Sequence, residues 1–160
     1  MVDAALAFSV AARKSPGDVF LVLERWSRRI EPSIDVFAMF VPDADVLTCA
    51  YAAGSRAEPF LRSRVAFADA DACVARCAVR GHRVDLREGV APAFPGDRSG
   101  AAMALVDGTR CIAVAYASSL RSSGFGSVDE LARLARLAAP PPSPWRWIAH
   151  GIGRRLRTMG

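Results

Sequence analysis

The stretch that most constrains this chain is AAMALVDGTRCIAVAYA, residues 101–117. Two apolar runs meet at Asp107-Gly108, a dipeptide that accepts the backbone of a tight two-residue turn, so the spacing predicts a β-hairpin. A lone hairpin is barely stable in water, so these strands need an antiparallel sheet around them. Upstream, IDVFAMFV and VLTCAYAAG flank the turn signal PDAD and predict a second hairpin over about 34–41 and 46–53.

The helices declare themselves by period and punctuation. Ala4 to Ala12 reads as a short helix. In SPGD, Ser15 can cap, Pro16 suits a first turn and Asp18 completes a capping box. Val19, Val22, Leu23, Trp26 and Ile30 then recur at helical spacing until Pro32 ends the run. AEPFLRS suggests a loop or short helix, RVAF a brief strand, and residues 69–80 a helix stopped by Gly81. HRVDLRE alternates like a strand, GVAPAFPGDRSG is a loop, and Ser127 with Glu130 caps a last helix, VDELARLARLAA. One central antiparallel sheet of five to six strands flanked by helices accommodates this order, which is an α+β domain.

Charge narrows the function classes. Four of the five net positive charges fall in residues 144–160, as Arg146, Arg154, Arg155 and Arg157 with no acid among them, so the remainder is nearly neutral. A nucleic-acid-binding body would spread basic residues over one face, and none is expected. No apolar run is long enough to span a bilayer. Asp3 and the lack of a basic start argue against a secretory leader, so the thiols are expected reduced and the protein cytoplasmic, with a peripheral membrane contact open to its tail.

Several phrases carry a family resemblance. DVFAMFVPDADVLTCAYAAG resembles the opening strand pair of a GAF domain, and CAVRGHRVDLREG its helix end, glycine and following strand. APAFPGDRSGAAMALVDGTRCIAVAYAS is similar to the loop and closing hairpin, and GFGSVDELARLARLA to the final helix. The resemblance spans about residues 15 to 139. It implies a GAF-like fold and a small sensory or interaction module that signals through a dimer or a partner. Family members that bind cyclic nucleotides carry an Asn-Lys-Phe-Asp-Glu set, and those that attach bilins a Cys-His dipeptide; neither occurs here. The resemblance also implies where a small-molecule pocket would lie, between the sheet and the middle segments. Its candidate lining is Phe60, Arg62, Phe67, Cys73, His82, Phe94, Met103 and Tyr116. Dimerisation through terminal helices would use Leu23 and Trp26 or Leu131 and Leu134.

One branch of that family, the free methionine-(R)-sulfoxide reductases, is enzymatic and supplies the alternative. Its chemistry needs an exposed thiolate and a second thiol within disulfide reach, and Cys73 and Cys77 are the candidates. Against this, Ala70, Cys73, Val74, Cys77 and Ala78 form an apolar stripe opposite Arg76 and Arg80, as on a core-facing helix. The loop FPGDRSGAAM, where the resemblance would put further cysteines, holds none. Cys73, Cys77 and His82 do not have the spacing of a common zinc site and no fourth ligand is evident, so no metal or cofactor is expected. Cys49 and Cys111 sit among apolar strand neighbours.

The organisation expected is an N-terminal helical extension over 1–14, the domain over 15–139, a proline-rich linker over 140–144 and a basic amphipathic segment over 145–160. In that segment Trp145, Ile148, Ile152 and Leu156 recur at helical spacing, with Trp147, Arg154, Arg155 and Arg157 around them. Such a pattern suits a protein partner or an anionic membrane surface, or docking on the chain's own domain or a second subunit.

Overall fold

A computed structural model describes residues 2–122 and 125–138, and the linker and basic segment expected over 140–160 lie outside the described residues. Its elements are α1 (Val2–Lys14), α2 (Pro16–Ile30), β1 (Val36–Asp43), β2 (Val46–Gly54), β3 (Arg64–Ala66), α3 (Cys73–Arg80), β4 (Val84–Asp85), β5 (Ser99–Asp107), β6 (Arg110–Ser119) and α4 (Val128–Ala138), with 3-10 turns at Glu58–Phe60 and Leu86–Glu88. The strands form one six-stranded sheet in the order β3-β2-β1-β6-β5-β4, every neighbouring pair antiparallel. The expected α+β architecture is therefore the observed one.

Each hairpin is local, and the seam between them joins distant parts of the chain: Val36 pairs with Ser118 and Phe40 with Val114. A β-bulge at Met39/Phe40 shifts the β1–β2 register. Gly54 ends β2 where the backbones nearly touch, since a Cβ there would lie 2.0 Å from the Asp35 carbonyl oxygen. Above that corner Arg28 donates to the carbonyls of Ile34 (2.6 Å) and Ala53 (3.3 Å), and pairs with Glu24 (2.9 Å). The Tyr51 hydroxyl donates to the same Glu24 carboxylate, which ties α2 to the sheet.

Both faces of the sheet are covered, and strand alternation sorts the core in two. Phe37, Met39, Met103, Leu105 and Ala115 meet α1, α2 and α4. Phe40, Leu47, Ala102, Val114 and Tyr116 meet α3 and the adjoining loops. On α4, Val128, Leu131, Ala132, Leu134, Ala135 and Ala138 are the buried stripe, three and four residues apart. Helix α1 adds Ala4, Phe8 and Ala11 to the same layer.

Several expectations are corrected here. Of the residues expected to serve a dimer, Leu23, Leu131 and Leu134 are 1%, 1% and 0% exposed, because their faces cover the chain's own sheet, and Trp26 is half-buried against the same core. The middle helix begins at Cys73 and not at residue 69. The Asp69 carboxylate accepts from the N–H groups of Asp71 (3.2 Å) and Ala72 (3.3 Å), and the Cys73 N–H goes to the Ala91 carbonyl (2.9 Å), so these donors are taken outside the helix. It ends as expected at Gly81, whose φ of 70° closes the last turn. The strand expected over HRVDLRE is two residues long. Asp85 caps a 3-10 turn through the Arg87 N–H, and Glu88 accepts from the Asp85 N–H in return. The closing hairpin turns at Gly108-Thr109, one residue later than Asp107-Gly108, with Asp107 already paired to Arg110.

Candidate functional site

The side of the sheet facing α3 is where the candidate lining falls, and side chains occupy it. Phe94, from the loop before β5, lies 4.5 Å from Phe60, 5.6 Å edge-on from Tyr116 and 6.3 Å from Phe40 between ring centres. Phe94, Tyr116 and Phe40 are fully buried and Phe60 is half-buried. These edge-on and tilted rings bury large apolar areas while keeping favourable quadrupole geometry.

A polar cluster closes one end of this aromatic stack. The Tyr116 hydroxyl donates to Asp97 Oδ2 (2.6 Å), and Arg56 reaches Asp97 Oδ1 (2.7 Å). The Asp97 side chain is fully buried and that of Arg56 is 23% exposed. Burial, reinforced by the neighbouring Asp97 carboxylate, pushes the Tyr116 phenol well above its ordinary range. The Arg56–Asp97 pair ties the loop after β2 to the loop before β5, so it fixes the cover over the aromatic rings. Nearby, Asp35 accepts from the Leu120 N–H (2.8 Å) and the Ser119 hydroxyl (3.0 Å). The Leu120 N–H above all holds its carboxyl below the usual range, outweighing burial, with Ser119, Arg56 and Arg121 adding to the effect.

Of the eight candidate lining residues, Phe60, Phe67, Cys73, Phe94 and Tyr116 share this side. Met103 does not. It stands opposite Ala115, one residue out of phase with the Ala102–Tyr116 pair, so strand alternation sends it to the face of α1, α2 and α4. Arg62 is exposed, in a left-handed backbone conformation at φ 73°. His82 is exposed too, with Nδ1 donating to the Arg83 carbonyl (2.9 Å). Sequence reading missed Phe40, Arg56 and Asp97. Phe40 looked like any core residue of β1, and nothing local in FPGDRSG marks Asp97 as the partner of an arginine 41 residues away.

Cys49, Cys73 and Cys77 are withdrawn from solvent and Cys111 is half-buried. Cys73 and Cys77 are both 0% exposed on the stripe of α3 that faces the sheet. Each thiol donates to a backbone carbonyl: Cys73 to Val84 (3.5 Å), Cys77 to His82 (3.1 Å), Cys49 to Tyr51 (3.4 Å) and Cys111 to Ala113 (3.3 Å). Burial pushes Cys49 and Cys73 up to about 12 and Cys111 up to about 11. Cys77 is raised further, by burial first and then by the neighbouring Cys111 and Cys73. A thiol so placed is almost wholly protonated at neutral pH and so a poor nucleophile. Among the described residues no group of three or more His, Cys, Asp or Glu is placed to hold a metal ion, and no helix is long and apolar enough to cross a membrane.

No family model matches the chain, and no curated protein does. Solved structures do. The GAF-B domain of DevS from Mycobacterium smegmatis superposes with a TM-score of 0.66 at 16% identity, over 91% of this chain and 100% of that one. The GAF domain of an Acinetobacter phosphoenolpyruvate-protein phosphotransferase gives 0.64 at 11% identity, over 99% and 95%. The fold is that of a GAF domain. The same GAF-like fold is shared by an enzyme: free methionine-R-sulfoxide reductase from Neisseria meningitidis, solved with its substrate, gives 0.62 at 18% identity, over 94% and 87%. Likeness of backbone thus spans GAF domains and a reductase, and only the side chains can separate them.

Proposed function

We propose that this GAF-like chain is a sensory or interaction module that performs no catalysis and acts through contacts with a partner. The observation that carries this reading is the state of the thiols. A reductase related to the free methionine sulfoxide enzymes would need a thiolate open to substrate, and Cys73 and Cys77 are buried, protonated and bonded to carbonyls. The aromatic filling of the α3 side supports it as well: Phe94 packs against Phe60, Phe40 and Tyr116 where the small-molecule pocket was expected.

Maleimide labelling of the native chain at neutral pH, read cysteine by cysteine by mass spectrometry with and without denaturant, tests it. Cys73 and Cys77 should stay unlabelled until the chain unfolds. Fast labelling of either in the folded chain, together with turnover of free methionine sulfoxide, would overturn the reading.

A further inference from the structure

Helices α1 and α2, joined by Ser15 alone, lie side by side, and a groove of about 440 Å3 runs between them on the outer surface. Its apolar lining is Leu6, Ala7, Val10 and the buried Ala11 from α1 and Leu21 and Val22 from α2. While Ala4, Phe8 and Ala11 use the inner side of α1, Leu6 and Val10 stand 65% and 48% exposed, one turn apart. An apolar pair left in water beside a groove points to an occupant. We propose that the occupant is this chain's own segment 145–156, with Trp145, Ile148, Ile152 and Leu156 laid along the groove.

Reach, length and patch size favour this over a second copy. Helix α4 packs against both α1 and α2 and ends at Ala138, so the chain leaves the very layer in which the groove lies. Residues 139–144 include Pro140, Pro141, Pro142 and Pro144. Six residues in the extended polyproline form at about 3.1 Å each cover about 19 Å, more than the roughly 10 Å diameter of a helix. The lining residues run along α1 from Asp3 to Lys14. The apolar stripe has the same span, from Trp145 to Leu156, about 16 Å if helical.

A stable interface between separate proteins buries about 800 Å2 on each side, and Leu6 and Val10 offer only a small part of that. A tethered segment meets the groove at an effective concentration in the millimolar range, so a modest patch suffices. Asp3 and Asp18 balance Lys14 and Arg25 around the groove, which therefore does not repel the basic segment. Gly151 and Gly153 weaken the free segment as a helix by up to about 1 kcal/mol each, which makes the groove the place where that helix forms.

The full chain labelled with 5-fluorotryptophan tests this by 19F NMR, with the Trp26, Trp145 and Trp147 signals assigned by single substitutions. The Trp145 signal should show little shift between H2O and D2O, at a molecular mass measured by light scattering to be that of a monomer. Val10→Lys, on an exposed position where lysine is a better helix former than valine, should restore the full solvent shift. So should Ile152→Asp, which changes none of the residues that line the groove. A fully solvent-shifted Trp145 in the unaltered chain overturns the proposal. So does a protected Trp145 that Val10→Lys leaves protected, since the segment would then sit elsewhere, and so does protection that appears only in a concentration-dependent dimer. Each of these outcomes is independent of thiol labelling, so this proposal and the non-catalytic reading fail separately.

Discussion

Asp97 carries more of the architecture around the aromatic stack than its place in a Gly/Pro loop suggests. It accepts from both Tyr116 and Arg56 while fully buried, so removing it leaves a partly buried guanidinium and a buried phenol without their partner. Asp97→Ala should lower stability by about 3–5 kcal/mol, the usual cost of breaking a buried pair from one side. Tyr116→Phe should cost about 1–3 kcal/mol, because only one of the carboxylate's bonds is lost. Urea unfolding of the two single variants and the double variant checks both figures, and the double should fall short of their sum, since both act on one carboxylate. Single residues were also the least legible scale in the sequence. The α3 stripe, with Cys73 and Cys77 among small apolar neighbours, was readable because a helix repeats its own geometry. The Arg56–Asp97–Tyr116 cluster was not, because three loops and strands bring it together and no local spacing encodes that. Met103 was misplaced for a subtler reason: turning one residue later shifts the pairing by two and leaves every face unchanged, but the bulge at Leu105/Val106 adds a single residue, which sets Met103 opposite Ala115 and off the face of Tyr116.

At the scale of elements, type and order were legible and lengths were not. Both hairpins, the helix start at Ser15 and the stop at Gly81 follow from local chemistry that acts within a few residues. The late start of α3 and the two-residue β4 follow from side chains that offer the backbone another partner, Asp69 in one case and the Asp85/Glu88 pair in the other. The first hairpin also contains a correctable flaw. Its turn places Ala44 at φ 56°, a conformation that crowds a Cβ. Ala44→Gly should therefore stabilise the protein, by up to about 1 kcal/mol after the added freedom of the unfolded chain is deducted, seen as a higher melting temperature. The reverse holds at the other end of β2. Gly54→Ala would drive a Cβ into the Asp35 carbonyl, and its melting temperature should fall sharply with the β1–β2 corner displaced.

For the whole molecule, pH bounds the stable range from both sides. Asp35 titrates lower folded than unfolded, so its contribution is present above about pH 4, the unfolded value, and is lost as pH falls through the depressed folded value. The thiols shift the other way. Their contribution is complete below about pH 8.5, the unfolded value, and is lost as pH rises toward the folded values of about 12 for Cys49 and Cys73. Unfolding free energy should therefore be level near neutrality and at pH 9.5 lower by about 1.4 kcal/mol for each thiol that stays protonated. Urea titrations at pH 7.5 and 9.5 check this, and Cys73→Ala should remove one thiol's share of the difference. The seam between β1 and β6 has a consequence of another kind. During synthesis Phe40 emerges some 74 residues before its partner Val114, which at 5–20 residues per second is a wait of about 4–15 s. Throughout that interval the first hairpin presents an unpaired apolar edge, so the nascent chain is most open to pairing with the wrong strand, and most in need of a chaperone, just before its last hairpin appears.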